Sequence, residues 1–208
     1  MALALYNKKR NFKQTSEPSG EAAGKVKKSV SKLIFVIQRH KASRLHYDFR
    51  LELDGVLKSW AVPKGPSLNP KDKRLAMMVE DHPYDYKDFE GVIPEGNYGA
   101  GIVEIWDNGT YADIENSPKN IAEKKLRAGL KAGNLKFQLF GKKLKGEFAL
   151  VKLRSKEDNS WLLIKHHDEY AVDEDYNSEE ETPPNSPINK WLEENNKLQK
   201  KKRSPKTA

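Results

Sequence analysis

The stretch Leu45-His-Tyr-Asp-Phe-Arg-Leu-Glu-Leu-Asp-Gly-Val-Leu-Lys-Ser-Trp-Ala-Val62 decides how this chain is read. From Leu45 to Leu53 apolar and polar residues alternate strictly, the period of a strand with one buried face. Asp54-Gly55 is a two-residue turn signal, and Val56 to Val62 returns as a second strand. Leu45, Tyr47, Phe49, Leu51 and Leu53 share the core face. His46, Asp48, Arg50 and Glu52 share the other. An imidazole, a carboxylate and a guanidinium in consecutive slots are unusual for a solvated strand face.

His46-x-Asp48 sets two metal-ligand types about 6 to 7 Å apart at their Cα atoms, a gap their side chains can close onto one ion. Arg50, one slot on, can fork onto phosphate oxygens. His40 precedes His46 across the polar connection Lys41 to Arg44, and a tight reversal brings it to the same face. Two histidines and one carboxylate leave coordination positions open for water and substrate. The same strand also admits a plain reading, an Asp48–Arg50 ion pair with two surface histidines.

Outward from this strand, Leu33 to Arg39 precedes it as an apolar, β-branched run, and Leu75 to Glu80, Ile102 to Trp106 and Tyr111 to Ile114 read as further strands. Asp107-Asn-Gly-Thr110 is expected to turn the chain between the last two. Ser117 as N-cap and Pro118 at the first helical position open a helix whose apolar face is Ile121, Leu126 and Leu130, ending at Gly133. Leu135 to Phe140, Glu147 to Leu153 and Trp161 to Lys165 complete a meander, with the basic turn Gly141 to Gly146 inside it. The fold class expected is mainly β, a small antiparallel β-barrel with one or two short helices.

Three segments are expected: a polar, basic N-terminal arm over 1–32, the barrel domain over 33–172, and a flexible tail over 173–208. Ser186-Pro187 can start a short helix near 187–200 bearing Ile188, Trp191, Leu192 and Leu198. Helices of that length are marginal alone, so the segment reads as frayed tail.

Composition narrows the function. The chain has 208 residues and no cysteine, which excludes a disulfide framework, a thiolate nucleophile and cysteine-ligated zinc. Ala2 to Leu5 is too short for a signal-peptide core and no spanning segment follows, so a cytoplasmic protein away from membranes is expected. The net charge of +8 is concentrated early: residues 1–32 carry eight Lys or Arg against two acidic residues. Clustered positive charge suits a polyanion such as nucleic acid.

Glu80-Asp81-His82-Pro83 adds a histidine at a strand end, restrained by the next proline, suited to contact a phosphate or protonate a leaving oxygen. Lys64 and Arg74 add cations in the same stretch. Phe89 to Gly101, FEGVIPEGNYGAG, has glycines for sharp turns and reads first as a barrel corner.

QRHKASRLHYDFRLELDG from Gln38, SWAVPKGPS from Ser59, EDHPYDY from Glu80, FEGVIPEGNYGAG, and WLLIKHHDEYA from Trp161 resemble the 3′-phosphoesterase domain of bacterial and archaeal DNA ligase D. The likeness runs from about Arg10 to Ala171. It implies a manganese-dependent β-barrel enzyme that removes a 3′-phosphate or a terminal ribonucleoside from a primer, leaving a 3′-hydroxyl for repair by end joining. It implies His40, His46 and Asp48 as metal ligands and Arg50 and His82 on the scissile phosphate, with Gln38 and Tyr86 close by. Lys64, Arg74 and Glu80 fall on positions that support activity. RNFKQTSEP resembles the family's lead-in segment, where Arg10 and Glu17 would reach the site. Asn11 departs from the Asp usual there, and His167 stands where a basic residue is common.

No Lys-x-Asp-Gly ligase motif is present, the nearest match being Glu52-Leu53-Asp54-Gly55, and the chain is too short for polymerase or ligase domains. It is expected to act alone or with a separate ligase, polymerase or end-binding protein. Two rival readings stand beside this one. A facial-triad iron oxygenase would use His46, Asp48 and a distal His82, and a nucleic-acid-binding barrel would have no catalytic role.

Overall fold

The computed structural model describes residues 3–20, 32–154 and 158–203. Lys25, Lys27 and Lys28 of the expected basic arm lie outside the described residues. Strands β1 (Leu33–Lys41), β2 (Leu45–Leu53), β3 (Val56–Val62) and β4 (Lys73–Met78) are followed by the two-residue β5 (His82–Pro83), a 3₁₀ turn (Tyr84–Asp88) and β6 (Gly91–Ile93). Then come β7 (Gly101–Ala112), helix α2 (Lys119–Ala132), β8 (Asn134–Gly141), β9 (Lys145–Lys152) and β10 (Ser160–Lys165). Helix α1 (Ala4–Lys8) precedes them and α3 (Pro187–Arg203) follows.

Neighbouring strands pair in the order β1, β2, β3, β4, β10, β9, β8, β7, and β7 pairs again with β1. Eight antiparallel strands thus close into a barrel, as expected, while β5 adds to β3 and β6 to β7 outside the ring. The Asp54-Gly55 signal works as read: both residues have positive φ, 56° and 78°, and Leu53 pairs with Val56. That two-residue turn sets the whole register, so Arg50 faces Ser59 and Asp48 faces Ala61.

The alternating apolar residues fill the lumen. Phe35, Ile37, Phe49, Leu51, Trp60, Phe137, Phe148 and Leu150 are each at most 1% exposed in one continuous cluster. Side chains suffice to fill an eight-stranded barrel, which explains why the lumen is a core and not a channel. Ala122 and Leu126 of α2 belong to that cluster. The helix starts one residue later than expected: Pro118 is its N-cap, and the Asp113 carboxylate accepts from the Ser117 N–H and hydroxyl.

The expected turn at Asp107 to Thr110 is absent. β7 runs unbroken for 12 residues against β1, with a bulge at Trp106 where Ile37 pairs with Asp107 but Gln38 pairs with Ile105. Asp107 instead organises the neighbouring hairpin, its carboxylate accepting from the backbone N–H groups of Lys142, Lys143 and Leu144 at 2.9, 3.2 and 2.8 Å. Gly109 is there for close approach, because a Cβ would lie 2.2 Å from the Phe140 carbonyl oxygen. The strand expected over Leu75 to Glu80 is observed at Lys73–Met78.

Residues expected as tail are also packed. Ser178 and Ile188 are fully buried, Trp106 Nε1 donates to Ser178 O and Thr182 Oγ1, and Arg39 donates to Glu179, Asn189 and Ser186. Local propensity gives no sign of this, since the partners lie more than 70 positions away. Among the described residues no helix is long and apolar enough to cross a membrane.

Candidate active site

Strand alternation decides which side of the barrel wall carries the chemistry. Phe35 and Ile37 point into the lumen, so Val36, Gln38 and His40 on β1 point out, beside outward-facing Asp48 and Arg50 on β2. A second apolar layer covers this outer face: Tyr6 from α1, Val36, Leu57, Tyr86, Phe89, Ile93 and Val103. Between wall and layer lies a cavity of about 220 Å³ lined by Arg10, His40, His46, Asp48, Arg50, Glu80, His82, Tyr86 and Tyr98, among others. A larger cavity, about 430 Å³, lies between the β8–β9 hairpin and Asp168 to Tyr170, and none of the predicted site residues lines it.

His40 and His46 are direct cross-strand partners, ring centroids 4.7 Å apart. His40 Nε2–H donates to the Gly99 carbonyl at 2.9 Å, and His46 Nδ1–H donates to the Arg44 carbonyl at 3.1 Å. A carbonyl can only accept, so these bonds assign the tautomers and free the other ring nitrogen of each. Both free nitrogens approach Asp48: His40 Nδ1 lies 3.5 Å from Oδ2, and His46 Nε2 lies 3.5 Å from Oδ1. Donor atoms about 2.1 Å from one ion sit roughly 3.4 Å apart along a tetrahedral edge. One ligand atom from each of the three residues lies within 4.8 Å of the others, so the donor set and its spacing fit a divalent ion.

Arg50 is fixed on three sides. Nη2 donates to Asp48 Oδ2 at 2.9 Å, Nε to Gln38 Oε1 at 2.6 Å and Nη1 to Ser59 Oγ at 2.9 Å. Gln38 Nε2 in turn donates to the carbonyls of Tyr86 and Phe89, tying β1 to the covering layer. Burial alone would raise the Asp48 carboxyl, but Arg50 and the two histidines hold it well below the ordinary range. Burial likewise opposes protonation of His46, yet the Asp48 carboxylate beside it favours the protonated ring and raises it.

The arm supplies the far wall. Arg10 Nε donates to Glu17 at 2.9 Å, Nη1 to Glu80 at 3.1 Å, and Nη2 to His82 Nε2 at 3.2 Å. Glu17, 4% exposed, also accepts from the Tyr86 and Thr15 hydroxyls. His82 Nδ1–H donates to the Glu80 carbonyl, which leaves the Nε2 lone pair facing Arg10. Burial, with Arg50 and Arg10 nearby, pushes His82 well below its ordinary value and keeps it neutral. Glu80 is held low against its burial by its own backbone, Lys9 and Arg10.

Ten of the twelve sequence-predicted residues are therefore gathered: Arg10, Glu17, Gln38, His40, His46, Asp48, Arg50, Glu80, His82 and Tyr86. Lys64 and Arg74 do not line the cavity. Lys64 is exposed in the β3–β4 connection, and Arg74 donates to Asp72 and to the Tyr176 carbonyl, both at 2.7 Å. Asn11 and His167 are exposed and outside it as well. The oxygenase outline is not assembled either, since among the described residues the group able to share an ion takes His40 and not His82.

Sequence reasoning missed Tyr6, Lys9, Ser59 and Tyr98. Ser59 was within reach, because counting back across the Asp54-Gly55 turn places it opposite Arg50. Tyr98 sits between Gly96 and Gly99, where turn-forming glycines are the stronger local signal.

With this geometry in view, a family model described as the DNA Ligase D 3′-phosphoesterase domain matches residues 38–152. The chain belongs to that family. The match contains the metal-site candidates, Arg50, His82 and Tyr86, and leaves outside it the arm, β10 and the segment that binds Arg39. Relatives include the "Multifunctional non-homologous end joining protein LigD" of Pseudomonas aeruginosa, 52% identical over 80% of this chain and 19% of that protein. The protein of the same name from Mycolicibacterium smegmatis is 39% identical over 80% of this chain and 21% of its own length. The "Multifunctional non-homologous end joining DNA repair protein LigD" of Mycobacterium tuberculosis is 43% identical over 77% of this chain and 19% of its own length. The chain thus spans about a fifth of these relatives. Membership in the family assigns it a 3′-end-processing phosphoesterase chemistry.

Proposed function

We propose that the chain is a metal-dependent phosphoesterase of DNA and RNA 3′ ends that removes 3′-phosphates and 3′-terminal ribonucleosides and leaves a 3′-hydroxyl for end joining. The observation that carries the reading is the convergence of two tautomer-fixed histidines on Asp48, with Arg50 and His82 in the same cavity. Neighbouring arginines suit a phosphate better than the 2-oxoglutarate chemistry of an oxygenase, and the buried, interlocked side chains exceed what a passive binding face needs.

His40, His46 and Asp48 are the ligands in this reading, and manganese is the proposed metal. When bound, the ion supplies Lewis acidity toward a non-bridging phosphate oxygen. Arg50, held by Gln38 and Ser59, presents its guanidinium to the same phosphate, and its anchoring keeps the reorganisation cost of the developing charge low. Neutral His82 can accept a proton at Nε2 from an attacking hydroxyl and then hold a phosphate oxygen as a donor. For ribonucleoside removal the proposed nucleophile is the 2′-hydroxyl of the penultimate ribonucleotide: its attack on phosphorus forms a cyclic phosphate as the bond to the terminal 5′-oxygen breaks, that oxygen takes the proton, and water then hydrolyses the phosphate to free the 3′-hydroxyl. Arg10 donates to His82 Nε2 in the structure, so the proposed proton transfer requires that bond to break, while Glu17 and Glu80 keep the guanidinium beside the phosphate.

Arm cations and the Lys142, Lys143 and Lys145 turn would steer a primer–template duplex, and a separate ligase, polymerase or end-binding protein would use the product. The test is a duplex primer ending in a 3′-phosphate or in two successive ribonucleotides, incubated with manganese, comparing the parent with His46→Ala. Product from the parent alone is expected. No product from the parent with any divalent metal overturns the proposal.

A further inference from the structure

Every group assigned above to phosphate or metal is buried or partly buried, but the cavity wall has one open aromatic. Tyr98, 48% exposed, stands in the β6–β7 connection at the cavity mouth. Lys9 donates to its hydroxyl at 3.2 Å and lies 4.5 Å from its ring centroid, and the Arg10 guanidinium lies 5.5 Å from the same centroid. The next residue, Gly99, receives the His40 Nε2–H. The ring is thus one peptide unit from a bond that orients a metal-site histidine, so its distance from the reacting phosphate is set by the fold.

Size and chemistry say what the ring is for. A cavity of about 220 Å³ is below the roughly 300 to 1,000 Å³ of sites that enclose a drug-sized molecule, so a nucleoside attached to the bound phosphate must remain at the mouth. A 3′-phosphate carries a nucleoside on its primer side alone and presents nothing flat beyond the scissile bond. A terminal nucleoside presents a base, and an exposed ring steadied by two cations is a stacking platform for it.

We propose that Tyr98, backed by Lys9, is the specificity-determining residue that stacks on the 3′-terminal nucleoside beyond the scissile phosphate, favouring nucleoside-ended over phosphate-ended substrates. This rests on the phosphoesterase reading given above. The experiment compares parent, Tyr98→Ala and Tyr98→Phe on two duplex primers, one ending in two successive ribonucleotides and one in a 3′-phosphate. With Tyr98→Ala the loss of kcat/KM on the ribonucleoside-ended primer should exceed the loss on the phosphate-ended primer by about tenfold, mainly through KM, within the span of base–aromatic stacking. Tyr98→Phe keeps the ring and should restore most of the preference. A terminal 2-aminopurine ribonucleoside, titrated in EDTA so that no turnover occurs, should be quenched on binding parent and Tyr98→Phe but not Tyr98→Ala. Equal losses on both primers, or unchanged quenching with Tyr98→Ala, overturn the assignment. A parent active only on the 3′-phosphate overturns it while leaving the phosphoesterase standing, and a parent inactive on both removes the reading beneath it.

Discussion

Arg50 donates to Asp48 Oδ2 at 2.9 Å from two residues along the same strand face. The carboxylate that both histidines approach is therefore already charge-paired and immobilised, and the outer wall of the barrel holds its ionic site ready before any ligand arrives.

Removing that carboxylate should separate metal binding from folding. Asp48→Ala leaves Arg50 with Gln38 and Ser59 but without its counter-charge, a loss of about 3 kcal/mol, or roughly 6 to 12 °C in Tm. Parent Tm should rise with added manganese, by an amount that grows with concentration above Kd. The variant should show no such rise in a thermal scan with and without metal, and it should have no detectable activity. An equal metal-induced rise in Tm would remove Asp48 from the ligand set.

Acid sensitivity should begin with His82. Its folded value lies well below the unfolded histidine value of about 6.5, so the unfolded chain binds the extra proton and stability falls as pH drops below about 6.5. Asp48 and Glu80 are depressed carboxylates, whose contribution is complete above about pH 4 to 4.5 and is lost below it as pH falls toward their folded values. Urea unfolding of metal-free protein between pH 5 and 8 should show a slope approaching about 1.4 kcal/mol per unit below pH 6.5. His82→Gln should flatten that first step and leave the later acid loss; an unchanged slope in the variant would be inconsistent with a neutral buried imidazole.

The arm should matter to activity as much as the barrel strands do. Glu17→Ala deprives Arg10, Tyr86 and Thr15 of one buried acceptor, costing about 2 to 4 kcal/mol locally. Tyr6→Phe loses only the bond to the Pro18 carbonyl, about 1 kcal/mol. Limited proteolysis should cut the arm faster in Glu17→Ala than in Tyr6→Phe, with activity on a 3′-phosphate falling by about 10- to 100-fold in the former.

The segment beyond the barrel should carry stability. Ile188→Ala empties a fully buried site and should cost about 2 to 4 kcal/mol by urea unfolding. Arg74→Ala should act through the same region, because its bonds go to Asp72 and to Tyr176, and about 1 to 2 kcal/mol is expected. Unchanged stability with lost activity would instead return Arg74 to the reaction itself.

The hairpin from Leu45 to Val62 was legible because its information is local: alternation assigns faces, and Asp54-Gly55 assigns register. Its outward face, extended to His40 across a short reversal, led to the metal-site candidates. Asp107-Asn108-Gly109 shows where such reading ends, since the same residues that can make a turn serve here to brace a neighbouring hairpin and to admit a close strand. Tyr6, Ser178 and Ile188 bury themselves against partners far along the chain, and no periodicity marks them. The roles of Arg10 and Glu17 entered only through resemblance, their contacts spanning up to about 70 positions.

β10 lies past residue 152, where the family match stops, yet it is the strand that joins β4 to β9. A fragment trimmed to the matched region would present two raw sheet edges with an unsealed apolar lumen behind them, a template for intermolecular strand pairing. Any minimal, transplantable version of this catalyst must therefore be cut by topology, keeping the closing strand, and not by where recognisable sequence happens to end.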